Sequence, residues 1–219
     1  MNSGQTCVAP DYMFIHKNVK NEMINNIIYY IKTFYGENPL YSEEYTKIIN
    51  ERQFNRLIKL LDNNKIIYGG DYDKDFLYIS PTLMDNVNWD DPIMGEEIFG
   101  PILPILEYEE LNEVINIVNS HPKPLALYFF SNDKENAEKI INGISFGGGC
   151  INDTIMHLSS PYLPFGGVGT SGMGSYHGKK SFDTFTHYKS ILEKSNIIDP
   201  NFRYPPYGNK LNIVKKFLK

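Results

Sequence analysis

Residues 102–151 read ILPILEYEELNEVINIVNSHPKPLALYFFSNDKENAEKIINGISFGGGCI. Three compact apolar runs, at 102–108, 126–130 and 147–151, are expected to be strands. Between them, residues 109–119 place Leu111, Ile115 and Val118 at helical spacing. Residues 133–141 form a second helical stretch, with a cap expected from Ser131 or Asn132. Strand, helix, strand, helix, strand is the pattern of crossovers on a parallel sheet. Continuously apolar strands fit a sheet covered on both faces. The fold class expected is therefore α/β, with an open, twisted, mostly parallel sheet and flanking helices.

Working upstream, Val19, Met23, Ile27, Ile31 and Phe34 recur at helical spacing, with Gly36 as the stop. Ser42, followed by Glu43 and Glu44, predicts the start of a second helix, whose apolar residues run from Tyr45 to Leu61. Residues 66–68, ended by Gly69-Gly70, and residues 76–79, ahead of Pro81, read as strands. Downstream, residues 163–178 carry glycine at 166, 167, 169, 172, 174 and 178, too densely for regular structure. That segment is expected to be a glycine-rich loop that lets backbone approach something closely. Residues 195–219 are polar and hold Pro200, Pro205 and Pro206, which predicts an extended tail. The expected organisation is one domain over 1–194 and a C-terminal tail over 195–219.

The 219 residues are 42% apolar and 21% charged, with a formal charge of −5. That balance permits a packed core and offers no basic field for nucleic acid. No apolar run reaches the length of a membrane span, and the short basic tail gives no stable membrane insertion. Cys7 and Cys150 form no CxxC pair, so a reducing, cytoplasmic compartment is expected, with no metal site.

Three segments could hold chemistry. In Asn2-Ser3-Gly4-Gln5-Thr6-Cys7, small and polar residues can present a thiol, the most nucleophilic common side chain. A lone cysteine is more often a small buried hydrophobe, and composition alone favours that reading. Gly95-Glu96-Glu97-Ile98-Phe99-Gly100-Pro101 could hold one carboxylate inward for a ligand hydroxyl, against an exposed acidic turn. In the glycine-rich segment, Gly167, Gly169 and Gly172 fit GxGxxG as a string. No strand leads in and no helix follows, so this is not a dinucleotide fingerprint.

In this order and spacing, NSGQTC, EEIFGP and LPFGGVGTSGMGSYHGKKSFDTFTH resemble the aldehyde dehydrogenase superfamily, most nearly its class 3 branch. The likeness runs to about Arg203-Tyr204-Pro205-Pro206. It implies that Cys7 is the catalytic nucleophile and that its N–H helps hold an oxyanion. It implies that Glu97 and Phe99 meet the nicotinamide nucleoside of NAD or NADP, and that Ile155, Leu158 and Phe165 line an aldehyde pocket. The reaction implied is oxidation of an aldehyde to a carboxylic acid through a thiohemiacetal and a thioester. Full-length members carry a dinucleotide-binding domain, an oxyanion asparagine and a general-base glutamate upstream of the cysteine. Six residues precede Cys7, so the expectation is a truncated or split enzyme, inactive alone. Its expected partners are a small-molecule aldehyde and either a separate N-terminal half or a second copy in a homodimer. Two other readings stand beside this one: a non-catalytic pseudo-enzyme and a cysteine-dependent esterase.

Overall fold

The structure is a computed structural model and describes residues 2–217. Met1, Leu218 and Lys219, at the ends of the two expected regions, lie outside the described residues. Contacts divide the chain into two compact units that meet in sequence at Phe182 and Asp183.

In the first unit the elements run β1 (Met13–His16), α1 (Lys20–Tyr35), α2 (Glu51–Ile58), β2 (Ile66–Tyr68), β3 (Tyr72–Asp73), β4 (Tyr78–Ile79) and β5 (Thr82–Met84). They continue with β6 (Ile102–Tyr108), α3 (Leu111–Asn119), β7 (Ala126–Phe129), α4 (Lys134–Gly143) and β8 (Gly148–Ile151). α5 (Gly178–Thr184) follows, and the second unit holds a short turn at Asn201–Arg203 and α6 (Leu211–Phe217). No helix among the described residues is long and apolar enough to cross a membrane.

The main sheet has the order β1-β6-β5-β2. β1 and β5 flank β6 in parallel, while β2 closes the edge antiparallel to β5. β7 and β8 form a separate parallel pair, in which Tyr128 lies opposite Cys150. β3 and β4 make a small hairpin. The sheet is thus α/β and mostly parallel, as its apolar strands predict.

Packing explains why these elements hold. Ile105 of β6 is 1% exposed and packs with Ile15 of β1 and Leu83 of β5. On this cluster α1 lays Ile24, Ile27 and Ile28. The apolar stripe of α1 is therefore rotated from the expected one, since Val19, Met23 and Phe34 are exposed. Gly36 ends the helix as expected, with its N–H on the Lys32 carbonyl at 2.8 Å. On the far side, Val114 and Val118 of α3 pack with Ile140 of α4. α4 is capped by Asp133, whose carboxylate accepts from Glu135 N at 2.8 Å and Asn136 N at 3.2 Å. The Ser131 hydroxyl braces that cap by accepting from Asp133 N at 3.0 Å.

The helix expected from Ser42 begins instead at Glu51, capped by the Asn50 side chain on Gln53 N at 2.9 Å. Residues 42–49 are committed elsewhere. Ile48 N donates to Leu77 O at 2.9 Å, and the Tyr45 hydroxyl donates to Ile79 O at 2.7 Å. Thr46 O, Lys47 O and Ile49 N bind the segment that carries Cys7, as described next. A helix there would need those same groups.

Candidate active site

The chain from Asn2 to Ala9 folds as a tight succession of turns. Asn2 and Ser3 adopt φ of 48° and 46°, and Gly4 adopts 73°. Left-handed backbone at two non-glycine residues is strained and persists only where surroundings fix it. Gln5 supplies that fixing. It is 9% exposed, its amide nitrogen donates to Lys47 O at 3.0 Å, and its amide oxygen accepts from Ile49 N at 2.9 Å. The Ser3 hydroxyl donates to Thr46 O. Within the turn, Gln5 N reaches Asn2 O and Ala9 N reaches Thr6 O, each at 2.9 Å. Val8 is buried at 1%, whereas Cys7 is exposed. Cys7 is thus lifted to the surface between two buried anchors. Among the described residues, no acceptor meets the Cys7 N–H.

The loop that holds Glu97 and Phe99 lies directly against this turn. A side-chain carbon on Gly4 would sit 2.2 Å from the Gly100 carbonyl oxygen, so only glycine permits the approach. Ile98, 1% exposed, points into the core, which turns Glu97 and Phe99 outward on either side of it. Two residues unremarked in the sequence hold that loop. Asp11 accepts from Ile98 N at 2.8 Å. Arg56 donates to the Glu97 carbonyl at 3.2 Å, to the Ile98 carbonyl and to the Glu96 carboxylate at 3.2 Å. Burial raises the Asp11 carboxyl above its usual range, against the Ile98 N–H and Arg56, which lower it. Glu97 makes no ion pair with a described residue; Glu96 takes that role with Arg56.

The third group approaches from β7 and β8. Ile155, Leu158 and Phe165 are each half-buried. Ile155 adopts a φ of 64°, unusual for a β-branched residue. Phe165 pairs with Tyr176 by two backbone hydrogen bonds of 2.9 Å. The glycines around it serve close packing of backbone on backbone: a side chain on Gly166 would meet the Gly174 carbonyl at 2.1 Å. That accounts for the glycine-rich loop without a phosphate. His157 is 8% exposed and joins this group to β7 and β8. Its ring lies 6.2 Å from Phe165 and 5.8 Å from Tyr128. Its Nδ1 is 3.6 Å from the Cys150 sulfur, and burial lowers its pKa. The link back to Cys7 is Tyr128, whose hydroxyl donates to the Val8 carbonyl at 2.7 Å.

The Cys7 turn therefore contacts the Glu97–Phe99 loop through Gly4 and Gly100, and the Phe165 group through Tyr128 and His157. Asp11, Arg56 and His157 carry no local sequence signal. A separate cleft of about 410 Å³ is lined by residues such as Lys32, Tyr68, Tyr72, Tyr78 and Ser80, and by none of the residues above. No group of three metal-ligating side chains occurs among the described residues.

This chain belongs to the aldehyde dehydrogenase family, whose profile matches residues 1–191. It is 51% identical to the 4,4'-diaponeurosporen-aldehyde dehydrogenase of Staphylococcus aureus (strain NCTC 8325 / PS 47), over 100% of this chain and 48% of that protein. It is 48% identical to the dimeric NADP-preferring aldehyde dehydrogenase of Mus musculus, over 96% of this chain and 47% of that protein. A solved substrate-bound state of Staphylococcus aureus AldH superposes with a TM-score of 0.92 at 51% identity, covering 99% of this chain and 48% of that one. The chain thus spans about half the length of these relatives.

Proposed function

We propose that this chain carries the nucleophile and the nicotinamide-side contacts of an NAD(P)-dependent aldehyde dehydrogenase. The observation that carries the reading is the Cys7 turn, which exposes the thiol, leaves its own N–H without an acceptor among the described residues, and docks on the Glu97–Phe99 loop. The Cys7 thiolate adds to the aldehyde carbon, and the Cys7 N–H donates to the oxygen that gains charge. One such donor contributes about 10²–10³ in rate in a related setting. With a nicotinamide bound as hydride acceptor, loss of hydride from that adduct would leave the carbon as a thioester on Cys7, and water would then release the carboxylic acid and restore the thiol.

The loop fits the nicotinamide end of NAD or NADP. The Glu97 carboxylate is exposed and not engaged in an ion pair with a described residue, so it can accept from ribose hydroxyls, and Phe99, two residues on, is exposed in the same loop. When bound, nicotinamide supplies the hydride acceptor. Ile155, Leu158 and Phe165 present an apolar wall to the aldehyde, which favours an aldehyde with a hydrocarbon chain. That preference agrees with the name of the relative called after 4,4'-diaponeurosporen-aldehyde.

The test supplies in trans the half of the Staphylococcus aureus relative that this chain does not match, and follows absorbance of the reduced cofactor with a panel of aldehydes. We expect turnover that needs both halves. Cys7→Ala should lower it on the order of 10³-fold or more, while Glu97→Gln should act mainly on the nucleotide KM. Turnover that survives Cys7→Ala would remove the reading.

A further inference from the structure

Tyr128 sits in β7 with its side chain on the same register position as Cys150 in β8. Its hydroxyl nevertheless serves a residue 120 positions away, the Val8 carbonyl at 2.7 Å. Val8 is 1% exposed, and among the described residues no other donor reaches that carbonyl. One hydroxyl thus joins the residue after Cys7 to the β7–β8 pair.

We infer that Tyr128 is a positioning residue for the Cys7 nucleophile, acting through the Val8 carbonyl rather than on the substrate. This rests on the reading of Cys7 given above. The physical argument concerns the carbonyl dipole. A buried carbonyl that loses its donor is costly, so the peptide rotates in search of another. In a turn this tight, rotation of the Val8 carbonyl moves the Cys7 backbone and brings the negative end of a dipole towards the thiolate, which raises the thiol pKa. Held by Tyr128, the carbonyl keeps its donor and the turn keeps the shape that exposes Cys7. Burial, as the main cause, pushes the Tyr128 hydroxyl up to about 12, so it stays a protonated donor at neutral pH.

The experiment uses the full chain and measures iodoacetamide alkylation of Cys7 and Cys150 separately, by peptide mass, across the pH range in which thiols titrate. Tyr128→Phe should move the Cys7 midpoint to higher pH and lower the Cys7-to-Cys150 rate ratio about tenfold, the size expected from one hydrogen bond to a buried acceptor. Replacing Tyr128 by 3-fluorotyrosine, whose hydroxyl is a stronger donor, should move the Cys7 midpoint to lower pH. A purely packing role would not separate those two replacements. If Tyr128→Phe does not fold, the fluorotyrosine protein decides alone. A Cys7 midpoint unmoved by either replacement, or moved the same way by both, overturns the inference. Failure of the underlying reading is separate: it appears as turnover that persists in the Cys7→Ala reconstituted enzyme.

Discussion

Gly4→Ala is expected to separate the Cys7 turn from the loop that carries Glu97 and Phe99. The added carbon would lie 2.2 Å from the Gly100 oxygen and 2.8 Å from the Gly100 carbonyl carbon, both of them backbone. Neither atom can swing aside as a side chain would. Gly100 cannot retreat, because its own α-carbon is packed over Leu57, which is 0% exposed. Gly4 also sits at a φ of 73°, where alanine is strained by roughly 1–2 kcal/mol. The turn must therefore move outward and take Cys7 with it. A displacement of about 1 Å at a reacting group can lower rates about 10²-fold. We expect a loss of at least that size in the reconstituted aldehyde assay, together with a lower melting temperature. Gly36→Ala is the matching control, since nothing lies within 4 Å of its added carbon although its φ is also positive, at 77°. Wild-type turnover in Gly4→Ala would mean that the contact between the two loops has no part in the chemistry.

The second large effect is expected at Arg56. Its guanidinium bridges the Glu97 and Ile98 carbonyls and the Glu96 carboxylate, while its Nε donates to Gln53 at 2.7 Å. Arg56→Met keeps most of the aliphatic stem and removes every donor. The Ile98 carbonyl is part of a buried residue, and an acceptor left without a partner there costs about 1–3 kcal/mol. Ile98 N would still be held by Asp11. The loop should therefore loosen at one end rather than detach. Glu97 and Phe99 would lose their fixed direction, so we expect the nucleotide KM in the reconstituted enzyme to rise about tenfold or more. The aldehyde KM should change little, because the Ile155, Leu158 and Phe165 group is attached through Tyr128 instead. An aldehyde KM that rises as steeply as the nucleotide KM would show that the two halves of the site are not held independently.

The readable part of this fold was the part governed by period and burial. The β6-α3-β7-α4-β8 alternation follows from continuous apolar strands and helices whose inward residues recur every three or four positions. Gly36 stops α1 because it supplies the backbone freedom a helix end needs. The unread part is governed by contacts far apart in sequence. Residues 42–49 have good helix-starting chemistry, yet their carbonyls and amides are taken by Ser3, Gln5 and Leu77. No local signal announces such partners. The stripe of α1 was displaced for a related reason: Ile24, Ile27 and Ile28 fit the β1-β5-β6 surface better than Met23 and Phe34 do.

The site divides the same way. Cys7, Glu97 and Phe99 stand out as candidates because they sit in short motifs that resemble a family. Asp11, Arg56 and His157 do not, because an aspartate, an arginine and a histidine are ordinary residues until their long-range partners are known. The glycine-rich loop lies between these cases. Its density of glycine predicted close backbone approach, and the partner proves to be other backbone of the same loop, as at Gly166 and Gly174.

The central claim is that Cys7 is a nucleophile for a carbonyl carbon, and it can be tested on this chain alone. The protein is treated with 4-nitrophenyl acetate and the acetyl group is located by peptide mass. The thiolate attacks the ester carbonyl, 4-nitrophenolate leaves, and a thioester remains on the sulfur. We predict acetylation of Cys7 before Cys150, with release of 4-nitrophenolate that is lost in Cys7→Ala. Acetylation of Cys150 first, or equal release of 4-nitrophenolate from Cys7→Ala, would contradict the account.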